Sequence, residues 1–225
     1  MGIGPAPSPL SYSVRLIQRS VIIRRLPIFP LGGAILFPRM HLPLHVFEPR
    51  YRAMISEVMA KDQRIGMVQP SDNGEPPALF GMGCIGRISE VEALEDGRFN
   101  IILAGEARFR VVRELDVTTP FRQVEAEPLS SDEDDPGFLS ATERAGLEIE
   151  AQQFAEHLGY QVEWDAVTRL DDETLVNAIA QIAPFDVAAK QALLEADLLT
   201  ERCAMAVQLM QFYGRGDGAG SVTLQ

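Results

Sequence analysis

The histidines at positions 41 and 45, with Glu48 three residues further on, come nearest in type and spacing to a metal site. On a helix, two histidines four apart can face one ion while a glutamate supplies a base. Pro43 lies between them and forbids that helix. In an extended segment rising about 3.3 Å per residue, side chains four apart are about 13 Å distant and cannot chelate one ion locally. Both histidines therefore read as structural or surface residues. Gly81-x-Gly83-x-x-Gly86 fits the dinucleotide fingerprint by letter. That loop works only where its last glycine opens a helix whose N-terminus receives the pyrophosphate. A strand-like run follows instead, so these glycines read as a bend or a close backbone approach in a curled sheet.

The two lysines, Lys61 and Lys190, each follow alanine, whereas a phosphate-binding loop places glycine before its lysine. Neither sits near the strained serine turn that a Ser-Lys protease would need; both read as residues of ordinary amphipathic helices. Cys84 and Cys203 form no paired motif and are expected as buried, reduced thiols. No catalytic residue, metal or cofactor is expected.

The elements that position these residues follow from prolines and periodicity. Pro27, Pro30, Pro38, Pro43 and Pro49 make Leu26 to Pro49 a set of short extended pieces. Ile28, Phe29, Ile35, Phe37, Val46 and Phe47 suit half-buried strands. After Pro49, the residues Tyr51, Met54, Ile55, Val58 and Met59 describe one face of a short helix. From Ile65 to Leu129 the pattern predicts hairpins: strands at Ile65–Val68, Cys84–Leu94, Phe99–Leu103, Arg108–Leu115 and Phe121–Ala126, with a turn at Asp96-Gly97.

The acidic run SSDEDDPG then separates strand-like from helix-like sequence. Ser140-x-x-Glu143 forms a capping box for a helix running to Gly159. Asp171 or Asp172 caps a second, with Leu175, Ile179 and Ile182 on one face. Pro184 begins a third, Phe185 to Ala196, and Thr200 caps a fourth ending near Gly214. The expected organisation is a disordered extension over 1–24, a β-barrel lobe over 25–129, an acidic linker over 130–137, a helical bundle over 138–213 and a disordered tail over 214–225. Arg215-Gly216-Asp217, an adhesion tripeptide by letter, is read as chance.

With 46% hydrophobic residues in 225, the chain can bury a sizeable core. No apolar run approaches the roughly 20 residues that span a bilayer, so a soluble, cytoplasmic protein is expected. The net charge of −12 argues against nonspecific nucleic-acid binding. Arg108, Arg110, Arg113 and Arg122 could still form a local patch for RNA or a small ligand. From Glu125 to Glu173 the acids number fifteen against Arg144 and Arg169 alone, a density that could attract a basic partner or simply solvate a face.

The Leu26 to Met54 stretch resembles the opening of the substrate-binding domain of the ATP-dependent Lon protease. The resemblance continues through Gly83–Val91, Asp96–Asn100, Gly105-x-x-Arg108-Phe109-Arg110, and Lys190-Gln191-x-Leu193-Leu194-Glu195 followed by Arg202. It implies an α+β fold, a PUA-like β-barrel followed by a helical bundle. It also implies a non-enzymatic, polypeptide-binding role as substrate receptor, adaptor or holdase in protein quality control, without ATPase or peptidase parts. The implied partners are unfolded client polypeptides, with a protease and a second copy of the chain as further candidates. Met40, Leu42, Phe80 and Met82 are the candidate polypeptide contacts, expected on loops. Glu48, Arg50, Tyr51 and Arg52 form a structural signature, in which the Glu48 carboxylate is expected to anchor the strand-to-helix turn through charge-assisted hydrogen bonds.

Overall fold

The computed structural model describes residues 22–129 and 137–215. The expectations for the N-terminal extension up to residue 21, for 130–136 of the acidic linker and for the tail from 216 on, including the end of the adhesion tripeptide, lie outside the described residues. Six strands and a helix come first: β1 (Ile23–Pro30), β2 (His41–Val46), α1 (Pro49–Met59), β3 (Arg64–Pro70), β4 (Leu79–Ala93), β5 (Phe99–Glu114) and β6 (Gln123–Pro128). Five helices follow: α2 (Ala141–His157), α3 (Trp164–Val167), α4 (Asp172–Ile182), α5 (Val187–Glu195) and α6 (Leu199–Gly214).

The sheet order is β2-β5-β4-β3-β1-β6, and a further β5–β6 pairing closes β5, β4, β3, β1 and β6 into a ring. Only β1 and β3 pair in parallel. The two strands expected at Phe99–Leu103 and Arg108–Leu115 are one strand. The first part of β5 pairs with β2, His41 opposite Ala104 through Val46 opposite Phe99, and its last part with β6. Gly105, which reads as a break, sits mid-strand because any Cβ there would strike the Phe37 carbonyl oxygen. Of the Gly81, Gly83 and Gly86 set, Gly83 abuts the Met67 carbonyl and the Phe109 ring, and Gly86 abuts Leu36; Gly81 faces open space.

Successive residues of a strand face opposite sides, and here both sides are covered. Leu26, Ile28, Val68, Ile85, Phe109, Val124 and Ala126, drawn from all five ring strands, fill the ring. A second cluster lies under α1, whose Tyr51, Met54, Ile55 and Val58 meet Phe29, Met67, Cys84, Ile88 and Leu103. The helices share a third core around Leu147, Phe154, Leu175, Val176, Leu193 and Met210, and Ile35 and Phe37 from the β1–β2 connection insert into it.

Helix ends follow local chemistry where a polar cap exists. Ser140 and Glu143 form the reciprocal capping box, Asp171 caps α4 and Asp186 caps α5. Thr200 does not cap α6, which begins two residues earlier, with Leu198 at the N-cap position. The short α3 has no counterpart among the expected helices. Ile182, read on one face with Leu175 and Ile179, is 70% exposed, whereas Leu175 is buried.

Candidate polypeptide-binding groove

That exposed isoleucine belongs to an apolar depression in the helical half. Gly159, at φ 73°, ends α2 in a Schellman motif: its amide bonds the Glu156 carbonyl at 3.1 Å and the Tyr160 amide bonds the Ala155 carbonyl at 2.9 Å. The chain then doubles back through Tyr160, Val162 and Trp164 before α3. These residues, with Phe154 of α2, Ile179 and Ile182 of α4 and Met210 of α6, line a cavity of about 160 Å³. Tyr160 is 51% exposed and Val162 37%. Large apolar side chains gathered this way on a surface mark a place where another molecule can be held. The sequence signal was present in the run Tyr160 to Trp164, which carries the chain's one tryptophan between two helices.

The walls of the groove are fixed by polar ties. Arg144 of α2 donates to Asp172 at 2.6 Å, to Glu148 at 2.9 Å and to the Leu170 carbonyl at 2.9 Å, and Asp172 also accepts the Leu139 amide at 2.9 Å. The Arg144 guanidinium, followed by the Leu139 amide, holds the Asp172 carboxyl below the usual carboxylate range. Burial pushes the Cys203 thiol up to about 11, which leaves it protonated and unreactive at neutral pH.

A buried polar seam joins the helices to the barrel. Arg108 of β5, its side chain 1% exposed, donates to the Leu194 and Ala196 carbonyls at 3.0 and 2.9 Å. Gln191 donates to the Met82 carbonyl and accepts from Gln69, both at 3.1 Å. Lys190, read from sequence as an ordinary amphipathic-helix residue, is buried and donates to the Gly33 and Gln181 carbonyls at 2.9 and 3.0 Å. Burial pushes its ammonium below the usual lysine value. Arg202 donates to the Leu193 and Ala196 carbonyls and to Asn177, with its guanidinium 5.3 Å from the Phe37 ring centre. These groups tie carbonyls of a loop, a strand and helix ends together across the seam.

Of the candidate contacts, only Met40 lies outside the regular elements, half-buried against both the helical and the α1 cores. Leu42 is a half-buried residue of β2. Phe80 and Met82 lie on β4, which starts five residues earlier than expected, and Met82 is only 5% exposed. The loop placement of these three is thereby corrected. The four do not converge with one another on the groove, whose lining contains none of them.

In the structural signature, Tyr51 is buried and stacks on Phe29 with ring centres 4.0 Å apart. Arg50 lies 4.6 Å over the Tyr51 ring, and the Arg52 guanidinium packs directly over Gly97 in the β4–β5 turn. The Glu48 carboxylate pairs with Arg50 and makes no helix-capping bond; the turn is closed by the Glu48 carbonyl, which accepts the Tyr51 and Arg52 amides at 3.0 and 2.9 Å. The carboxylate thus makes a charge-assisted bond to Arg50, while the backbone carbonyl closes the turn.

His41 and His45 lie exposed on β2, and His45 meets Asn100 at 2.7 Å and Arg98 at 3.1 Å. Among the described residues no three metal-ligating side chains cluster, and no helix is long and apolar enough to cross a membrane. Of the arginines considered for an RNA patch, Arg108 is buried, Arg113 pairs with Glu125, Arg122 pairs with Glu114, and Arg110 is exposed on β5.

A family model of the ATP-dependent protease La (LON) substrate-binding domain matches residues 25–211. The chain belongs to this family. It is 26% identical over 200 residues to Lon protease 2 of Bdellovibrio bacteriovorus, covering 84% of this chain and 24% of that protein. It is 31% identical over 146 residues to the Lon protease of Chloroflexus aggregans, covering 60% of this chain and 17% of that protein. The chain thus spans a quarter or less of the length of these relatives. Two solved structures share the fold. A Lon N-terminal domain protein from Xanthomonas campestris superposes with a TM-score of 0.63 at 20% identity, covering 83% of this chain and 98% of that one. The N-terminal domain of the Mycobacterium avium complex Lon protease gives 0.62 at 19%, covering 84% and 98%. The α+β architecture of curled sheet and helices is that of these Lon N-terminal domains.

Proposed function

We propose that this chain is a non-enzymatic module that holds polypeptides, acting as a substrate receptor, adaptor or holdase in protein quality control. The observation that carries the reading is the groove of Tyr160, Val162, Trp164, Ile179 and Ile182 on a member of a substrate-binding family. Such a surface takes apolar side chains of an unfolded segment by burial, a mode that tolerates many sequences. Met40, Leu42 and Phe80, half-buried, are secondary contact candidates; Met82 would join them only if the α5 side of β4 opened.

Ile182→Asp tests it. The side chain is 70% exposed, so the fold should be untouched, while loss of one apolar contact worth about 1–1.5 kcal/mol weakens binding about tenfold. The measurement is titration of a reduced, carboxymethylated model protein without ATP, read by Trp164 fluorescence. No binding by the unmodified chain would overturn the proposal.

A further inference from the structure

No charged residue lines the groove itself, but acids stand next in sequence to its lining residues, and the charges of the helical half are unbalanced. Residues 137–215 carry thirteen carboxylates against five cations, and two of those cations, Lys190 and Arg202, are buried. Glu163 and Asp165 flank Trp164 directly, both exposed, and neither forms an ion pair among the described residues. Glu156, next to groove residue Ala155, is likewise exposed, with Gln152 as its partner. Past Phe154 and Met210, which line both depressions, the groove adjoins a second of about 270 Å³ lined by Glu150, His157 and Arg215. Arg215 and Arg169 are the exposed cations nearby; Arg144 is held by Glu148 and Asp172.

An apolar floor with a rim of unpaired carboxylates is complementary to an apolar segment flanked by Lys or Arg, and repels one flanked by acids. Resting on the polypeptide-holding reading, we propose that this groove selects basic apolar segments of other polypeptides: a few large apolar residues bracketed by lysine or arginine. Glu163 and Asp165 are the residues that make the choice. They set specificity from the rim, and the apolar floor supplies the area buried. Because the rim is exposed to solvent, the preference is sensitive to salt on the scale of the Debye length, about 10 Å at 0.1 M.

The test uses the full chain and two fluorescein-labelled peptides with one Leu-Phe-Leu core, flanked either by lysines or by glutamates, read by anisotropy and by Trp164 fluorescence. At low salt the lysine-flanked peptide should bind about tenfold or more tightly than its partner, and the preference should collapse in 1 M salt. The double variant Glu163→Gln/Asp165→Asn should retain the melting temperature and bind the two peptides within about threefold of each other. Equal affinities for the unmodified chain, or a preference that survives in the double variant, would overturn the selectivity while leaving the polypeptide-holding reading intact. No binding of either peptide would overturn both.

Discussion

Glu48 caps α1 with its backbone and leaves its carboxylate on the surface beside Arg50, where the two side chains are 40% and 53% exposed. An ion pair so exposed contributes little. Glu48→Ala should therefore change stability by no more than about 0.5 kcal/mol, whereas Tyr51→Ala, which removes a buried ring stacked on Phe29, should lower it by about 3–4 kcal/mol. Thermal unfolding of the two variants checks the contrast; equal losses would return the anchoring role to the carboxylate. The motif drew attention to the right turn, yet spacing alone could not say which atom of Glu48 closes it. The same limit applies to Lys190 and Arg108, whose burial is set by partners 157 and 86 residues away in sequence.

Elements whose ends are written by adjacent residues were legible from sequence. The Asp96-Gly97 turn, the Ser140 capping box and the Asp171 cap all stand where local chemistry puts them. What escaped depends on distant packing: the unity of β5 across Gly105, and the exposure of Ile182, whose helical period is the same whether its face is covered or left open. The α4 wall of the groove escaped for that reason, since periodicity marks an apolar face without saying what covers it. The α2–α4 tie makes a prediction at this scale. Asp172 has a depressed pKa, so the folded form gains from its ionised carboxylate above the unfolded value, and that gain is lost as the pH falls through the folded one. Asp172→Asn should lower stability by about 1 kcal/mol at neutral pH. The curves of the two proteins should converge as the pH drops below 3.8, the ordinary value. A gap independent of pH would count against the ion pair.

At the scale of the whole molecule, barrel and helices are joined by the β1–β2 connection and a buried polar seam. Ile35 and Phe37 reach into the helices, Leu36 between them faces the barrel, and Arg108 binds carbonyls past the end of α5. Denaturation followed by Trp164 fluorescence, a helical-side probe, and by far-ultraviolet circular dichroism should give coincident transitions. Arg108→Ala, by taking the donor from the Leu194 carbonyl while Arg202 still holds that of Ala196, and by opening a cavity in the seam, should shift both together by about 3 kcal/mol; separated midpoints would mean that the halves unfold independently. The closed ring bears on how a client can be held. Among the described strands the free edges are β2, which is six residues long, interrupted by Pro43 and has its His41 carbonyl already taken by Gln181 at 2.8 Å, and the Ser89–Ala93 end of β4, which pairs with β5 alone and carries Glu90 and Glu92. The molecule therefore offers a passing extended chain scarcely any template for strand addition. On the polypeptide-holding reading, a captured segment is then held by its side chains rather than by the β-pairing that makes association of extended chains irreversible.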